Sequence, residues 1–257
     1  MVRHKTLTLT FAGSNPVTPA MIISLCALII KYEMCKGVNS MNKKNESTTT
    51  AETKTGKKIL VIVDMQHDFV DGVLGNEMTA TVLPKMVKKL REHYDEYDAI
   101  YMTRDIHFDN YLETLEGKKL PIPHCLKDGT GKNIVKELWD VVKELREKRK
   151  FVRVIDKHTF ASKELVDYLS ATCGANDEIE LCGVCTDICV VSNAICLRAE
   201  LPNTVIKVDG SCCAGTTMKA HNAALRTMAS CQIDIIGRQY GKKSQTSDEE
   251  VVEESNN

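Results

Sequence analysis

The chain has 257 residues, enough for one large α/β domain or two small ones. Its 43% hydrophobic and 27% charged content is that of an ordinary globular protein, and a net charge of -1 leaves no basic footprint for nucleic acid or an anionic membrane. The eleven cysteines do not read as a disulfide framework: the count is odd, and Cys182, Cys189, Cys196 and Cys231 fall inside apolar patterns, which fits a reducing, cytoplasmic setting.

Residues 1–56 read as an N-terminal extension, expected to be disordered or poorly packed. Within it, 21–30 is apolar but too short for a membrane span. The basic start at Arg3-His4-Lys5 admits a signal-peptide reading, against which stand Ser14-Asn15-Pro16 and the closing Lys31 and Glu33. From Asn39 the chain is rich in Asn, Lys, Ser and Thr and cannot bury enough apolar surface to fold alone; Met41 is an alternative start.

A folded domain is expected over 57–238. Residues 58–64 (KILVIVD) are a continuous apolar strand of the kind buried on both faces in a parallel sheet. An amphipathic helix follows at 81–94, with Val82, Met86 and Leu90 at helical spacing. A second strand at 99–103 leads into a long polar, Gly/Pro-bearing stretch, 104–131. A helix at 134–148, a strand at 151–155, a helix at 163–170, a strand at 179–182 and a helix at 188–201 come next. The series closes with a strand at 204–208, a helix at 217–230 and a strand at 233–236; an acidic disordered tail is expected over 239–257. Strict alternation implies a doubly wound, mostly parallel six-stranded α/β sheet with helices on both faces. In such sheets chemistry gathers at the carboxyl ends of the strands.

Those ends carry reactive residue types: Asp64 on the first strand, Asp105 and His107 after the second, Lys157 after the third, and Gly183-Val184-Cys185-Thr186-Asp187-Ile188-Cys189-Val190 after the fourth. Cys189 falls just inside a strand-to-helix junction. Free N–H groups and the helix dipole there favour an anion, so the thiol is expected to lose its proton readily, with Thr186-Asp187 as a natural N-cap pair.

Five segments together resemble the isochorismatase-like cysteine hydrolases, and within them the nicotinamidases: Asp64-Met65-Gln66-His67-Asp68-Phe69, Asp105-Ile106-His107, Pro121-Ile122-Pro123-His124-Cys125, Lys157 with Phe160, and the 183–190 run. The resemblance implies that Cys189 is a nucleophile working with Asp64 and Lys157. It implies an oxyanion site at a non-proline cis bond between Val184 and Cys185, with the N–H groups of Cys185 and Cys189 as donors. It further implies one divalent transition metal, zinc first with iron or manganese as alternatives, on Asp105, His107, His124 and Glu116, the last preferred over Glu113. Gln66 and Phe69 would line the substrate pocket. The implied reaction is hydrolysis of nicotinamide to nicotinate and ammonia through a thioester, in NAD salvage. Its partner is a small amide rather than nucleic acid or membrane, and a homo-oligomer is in keeping with the family.

Each residue has a blander reading. Asp64 at a strand end could cap a loop, Lys157 could be a solvated side chain, and Cys189 and Phe69 could be core. Cys185 stands where the family has a small residue; it is either a tolerated side chain or a second redox-active thiol. His67, His93, His158 and His221 read as surface or structural, and Trp139 lies in a helix pattern, poorly placed for a second aromatic wall. The competing functions are a cysteine amidohydrolase for another amide or ureido compound, which would not need the metal set, and a thiol redox or zinc module on Cys182, Cys185 and Cys189, which leaves Asp64 and Lys157 unexplained. A flavodoxin-type binding protein lacks its Gly-rich phosphate loop after Asp64.

Overall fold

The computed structural model describes residues 56–237, so the expected N-terminal extension and acidic tail lie outside the described residues. The domain is one six-stranded sheet, all parallel, in the order β3-β2-β1-β4-β5-β6. The strands are β1 (Lys58–Val63), β2 (Ala99–Asp105), β3 (Val152–Lys157), β4 (Glu178–Val184), β5 (Val205–Ala214) and β6 (Asp234–Ile236). The helices are α1 (His67–Val70), α2 (Glu77–His93), α3 (Leu115–Lys119), α4 (Lys136–Glu147), α5 (Lys163–Thr172), α6 (Val191–Glu200) and α7 (Met218–Ser230).

Chain order reverses between β1 and β4, which are neighbours in the sheet. With right-handed crossovers, helices before the reversal go to one face and those after it to the other. Accordingly α2 packs on α4, while α5, α6 and α7 pack in a row. The central strand β1 is buried on both faces, which its unbroken apolar run required. The reversal opens a crevice at the carboxyl ends of β1 and β4, where a site is expected.

Four local departures from the sequence reading have physical causes. Helix α2 starts four residues early: Asn76 accepts from the Thr79 N–H and Thr79 Oγ1 accepts from the Asn76 N–H, a capping box built on Thr rather than Glu. Strand β5 runs on to Ala214, because after an irregularity it rejoins β4 at Gly183–Cys213 and Val184–Ala214. That irregularity presents Asp209 to Lys89, whose ammonium lies 2.6 Å from both Asp209 and Glu180 and ties α2 to the sheet. The helices α1 and α3, of one turn or little more, carry no signal in the sequence, since so short a helix shows no period.

Gly183 sits at φ +127°, and a Cβ there would lie 2.1 Å from the Val63 carbonyl oxygen. Neither the dihedral nor the contact can relax without parting β1 from β4. We expect Gly183→Ala to destabilise the domain by about 3 kcal/mol or more, read as a fall in the thermal unfolding midpoint.

Candidate active site

Three strand ends and the turn after a fourth bring their reactive side chains together. Lys157 Nζ lies 2.8 Å from Asp64 Oδ2, 3.1 Å from Asp105 Oδ1 and 3.5 Å from Cys189 Sγ. All four residues are buried, with Asp64 fully enclosed. Asp64 adopts φ +49°, a sparsely populated conformation for a non-glycine residue and one found at functional sites. Thr103 Oγ1 donates to Asp64 Oδ1 at 2.7 Å, while Oδ2 has no hydrogen bond of normal geometry beyond its ion pair with Lys157. One face of the carboxylate is thus held, and the other remains open to a proton.

Burial pushes the Asp64 carboxyl above its ordinary range against the pull of the Lys157 charge. Burial alone would lower the Lys157 ammonium, but the charges of Asp64, Cys189 and Asp105 more than reverse this and hold it well above its ordinary value. Cys189 differs from expectation. Burial first, then the charge of Asp64, lift its thiol well above the usual value, and Lys157 only partly opposes them. Enclosure thus disfavours the thiolate at Cys189, beside a carboxylate able to take its proton.

The turn that carries Cys189 is a π-helical turn, Thr186–Val190, with no side-chain cap. The expected N-cap pair is used elsewhere. Thr186 Oγ1 lies 2.8 Å from His221 Nδ1, and Asp187 accepts from Thr216 N and Oγ1 at 2.9 and 2.5 Å. Asn193 donates to the Cys189 carbonyl at 2.8 Å and to that of Phe160 at 3.2 Å, so one buried amide positions both. The bond between Val184 and Cys185 is cis. Burial raises the Cys185 thiol to about 12.

Asp105, His107, Glu116 and His124 offer one ligand atom each, all within 4.8 Å of one another. His107 Nε2 is 2.8 Å from Asp105 Oδ2 and 3.7 Å from Glu116 Oε1, and His124 Nε2 is 3.6 Å from Asp105 Oδ2. Burial would raise the Asp105 carboxyl, but the hydrogen bond with His107 and the charge of Lys157 hold it well below the carboxylate range. The 121–126 loop is drawn in beside β2 by the Cys125 carbonyl, which accepts from His107 N at 3.0 Å, and by the Cys125 N–H, which donates to Asp68 at 2.7 Å. His124 Nδ1 is 2.8 Å from the Ile122 carbonyl, which makes Nδ1 the donor and leaves the Nε2 lone pair facing the cluster. Two carboxylates, one of them buried, and two imidazole nitrogens converging at this spacing fit a divalent transition ion. Glu113 is exposed, in a 3-10 turn, and is not part of the group.

A cavity of about 420 Å³ opens on both clusters, its wall including Asp105, Glu116, His124, Cys185 and Cys189. Phe69 and Phe160 supply aromatic walls, with Val73, Leu120 and Ile188 completing an apolar lining. Gln66 departs from expectation. It is fully buried, absent from that wall, and donates to the Asp105 and Lys132 carbonyls at 2.8 and 2.9 Å while accepting from Asp105 N at 2.7 Å. Its amide fixes the end of β2, so it shapes the site without facing it. Trp139 packs against the core in α4, as its helical spacing required. Sequence reasoning missed Thr103, Asn193 and Tyr111, whose ring packs on His107 and His124 at 4.7 and 5.1 Å. Phe160 carried a signal, its spacing from Lys157, but no role.

A doubly wound parallel sheet with this cleft at its reversal point is the architecture of an isochorismatase-like hydrolase. The isochorismatase domain matches residues 58–239, and the chain belongs to that family. Solved structures that resemble it include a pyrazinamidase/nicotinamidase from Streptococcus mutans, 27% identical with TM-score 0.61, covering 70% of this chain and 99% of that one. A yeast nicotinamidase bound to the inhibitor nicotinaldehyde is 19% identical with TM-score 0.58, covering 70% and 100%. A Pyrococcus horikoshii pyrazinamidase in complex with zinc is 20% identical with TM-score 0.53, covering 70% and 98%. No curated protein matches the sequence significantly. Among the described residues no helix is long and apolar enough to cross a membrane, and all nine cysteines are free thiols.

Proposed function

We propose that the protein is a metal-dependent amidase that hydrolyses nicotinamide to nicotinate and ammonia through a Cys189 thioester. The observation that carries this reading is the shared cavity: its wall holds Cys189, Asp105, Glu116 and His124, three of the four residues of the metal group, together with Phe69 and Phe160. A flat heteroaromatic amide would lie between the rings with its amide carbon at the sulfur. The bound metal would supply a positive anchor for the ring nitrogen, directly or through a water.

The chain's own residues then divide the chemistry. Asp64 accepts the Cys189 proton as Sγ attacks the amide carbon, and the raised proton affinity of this carboxylate suits it to a general base. Lys157, in contact with Asp64 and Cys189, offsets the negative charge passing between them. The oxyanion is received by the backbone N–H groups of Cys185 and Cys189. Asp64 returns its proton to nitrogen as the C–N bond breaks and ammonia leaves. A water, deprotonated by Asp64, attacks the thioester carbonyl. The C–S bond breaks, nicotinate departs and the proton goes back to Sγ. In the free-thiol, reducing setting of the cytoplasm this would feed NAD salvage.

The test is ammonia release from nicotinamide, pyrazinamide and a panel of ureido compounds, with and without chelator. Nicotinamide and pyrazinamide are expected to be hydrolysed. Stripping the metal is expected to lower kcat/KM by about 100-fold, with recovery on adding zinc, iron or manganese. Turnover of ureido compounds alone, or the absence of stoichiometric metal from protein never exposed to chelator, would overturn the reading. Glu116→Gln is expected to weaken metal binding by about 10–100-fold while Glu113→Gln leaves it unchanged, measured by competition with a chromogenic chelator.

A further inference from the structure

A second cavity is larger than the one that holds Cys189. A space of about 750 Å³ lies between the first turns of α2 and those of α7, against residues 210–214 of β5, and it shares no wall residue with the active-site cavity. Its apolar wall includes Met78, Val82, Met218 and Leu225. Its polar wall includes Lys85, Asn222 and Arg226, whose side chains make no hydrogen bond or ion pair with any described residue. Among the described residues Glu77 is the only acid in that wall, where Lys85 and Arg226 supply two positive charges.

Also in the wall is His221, whose Nδ1 lies 2.8 Å from Thr186 Oγ1 in the turn that carries Cys189. Around the same contact, a Cβ at Gly215 would lie 2.6 Å from Asp187 Oδ1 and 2.9 Å from His221 Cβ. The N-terminal part of α7 therefore seats directly on the catalytic turn. Anything that displaces α7 from within this cavity acts on Thr186 and Asp187, three and two residues from the nucleophile.

We propose that this second cavity binds a small organic anion, with a carboxylate or phosphate held by Lys85 and Arg226 and an apolar body on Met78, Val82 and Leu225, and that its occupancy is read by the catalytic turn through His221 and Thr186. The volume falls within the range of small-molecule sites, and apolar walls with a few polar groups are their usual make-up. Binding to the folded state raises the unfolding temperature by mass action. The coupling is a difference in the setting of Cys189 between the two occupancies.

The experiment uses the full chain and three probes: phenyl phosphate, with charge and apolar body together, and inorganic phosphate and phenol, with one feature each. At a hundredfold excess over its Kd, phenyl phosphate is expected to raise Tm by about 5–10 °C in the wild type. In the Lys85→Ala/Arg226→Ala variant, both positions being exposed, the rise should vanish, and the two partial probes should bind at least tenfold more weakly. No rise with phenyl phosphate, or an undiminished rise in the double variant, overturns the site. Coupling is read as the rate of Cys189 alkylation by iodoacetamide, followed by mass spectrometry. A change of about fivefold on saturation, absent from the double variant, is expected; an unchanged rate overturns the link to the catalytic turn. Neither readout needs an amide substrate, so both stand or fall apart from the nicotinamidase reading.

Discussion

Cys189→Ala is expected to lower kcat for nicotinamide by about 10⁴-fold or more, with Cys185→Ala staying within about tenfold of wild type. Both thiols face the same cavity, so proximity alone does not choose between them. Their partners do. Cys189 Sγ is 3.5 Å from the Lys157 ammonium, and Lys157 bridges to Asp64 at 2.8 Å, so sulfur, base and compensating charge form one chain of contacts. Burial raises both thiols and so does not tell them apart, but Cys185 makes no hydrogen bond or ion pair with Lys157 or Asp64. Two measurements check this: steady-state ammonia release for both variants, and acid-quenched turnover of the wild type digested to peptides. An acyl group on Cys189 is expected. One found on Cys185, or wild-type turnover by Cys189→Ala, would reverse the assignment.

Much of the fold was legible because its signals are local and periodic. The short, β-branched apolar run at β1 reads as a strand buried on both faces, and alternation with amphipathic helices then implied the parallel sheet. The strand ends could be read as a list of reactive residues, but their meeting could not, since it depends on a strand order that no local pattern encodes. The resemblance supplied that step, and the contacts of Lys157 with Asp64 and Cys189 agree with it. What failed was reading the function of a polar side chain from its neighbours in sequence. Gln66 lies two residues after Asp64 yet turns away to hold the backbone of Asp105 and Lys132. Thr186 and Asp187 looked like caps of their own helix, and instead reach His221 and Thr216, brought close only by the tertiary fold. The thiol was expected to be acidified by its helix end. A dipole acts on an exposed terminus, whereas full enclosure beside a carboxylate acts the other way, and at Cys189 enclosure wins.

On the proposed mechanism, that reversal makes Asp64 the residue on which turnover would depend after the cysteine. A thiol that already ionised at rest would need no strong base, and removing the carboxylate would cost little. A thiol held protonated must lose its proton during attack, so the acceptor contributes in full. Asp64→Asn, which keeps shape and burial but cannot take the proton, is expected to lower kcat by about 10³–10⁴-fold with a small change in KM. The pH dependence carries the same information with a definite sign. As the proposed base, Asp64 would work in its ionised form, so activity is expected above its pKa and lost as pH falls through it. Since burial raises that pKa, the acid limb of kcat/KM belongs above the usual aspartate range, near 4, rather than at it. Thr103→Val removes the 2.7 Å bond that favours the ionised carboxylate, so the limb should move further up. An acid limb that stays in place in Thr103→Val, or an Asp64→Asn variant within about tenfold of wild type, would show that the proton goes elsewhere and that the thiol enters the reaction as a preformed thiolate.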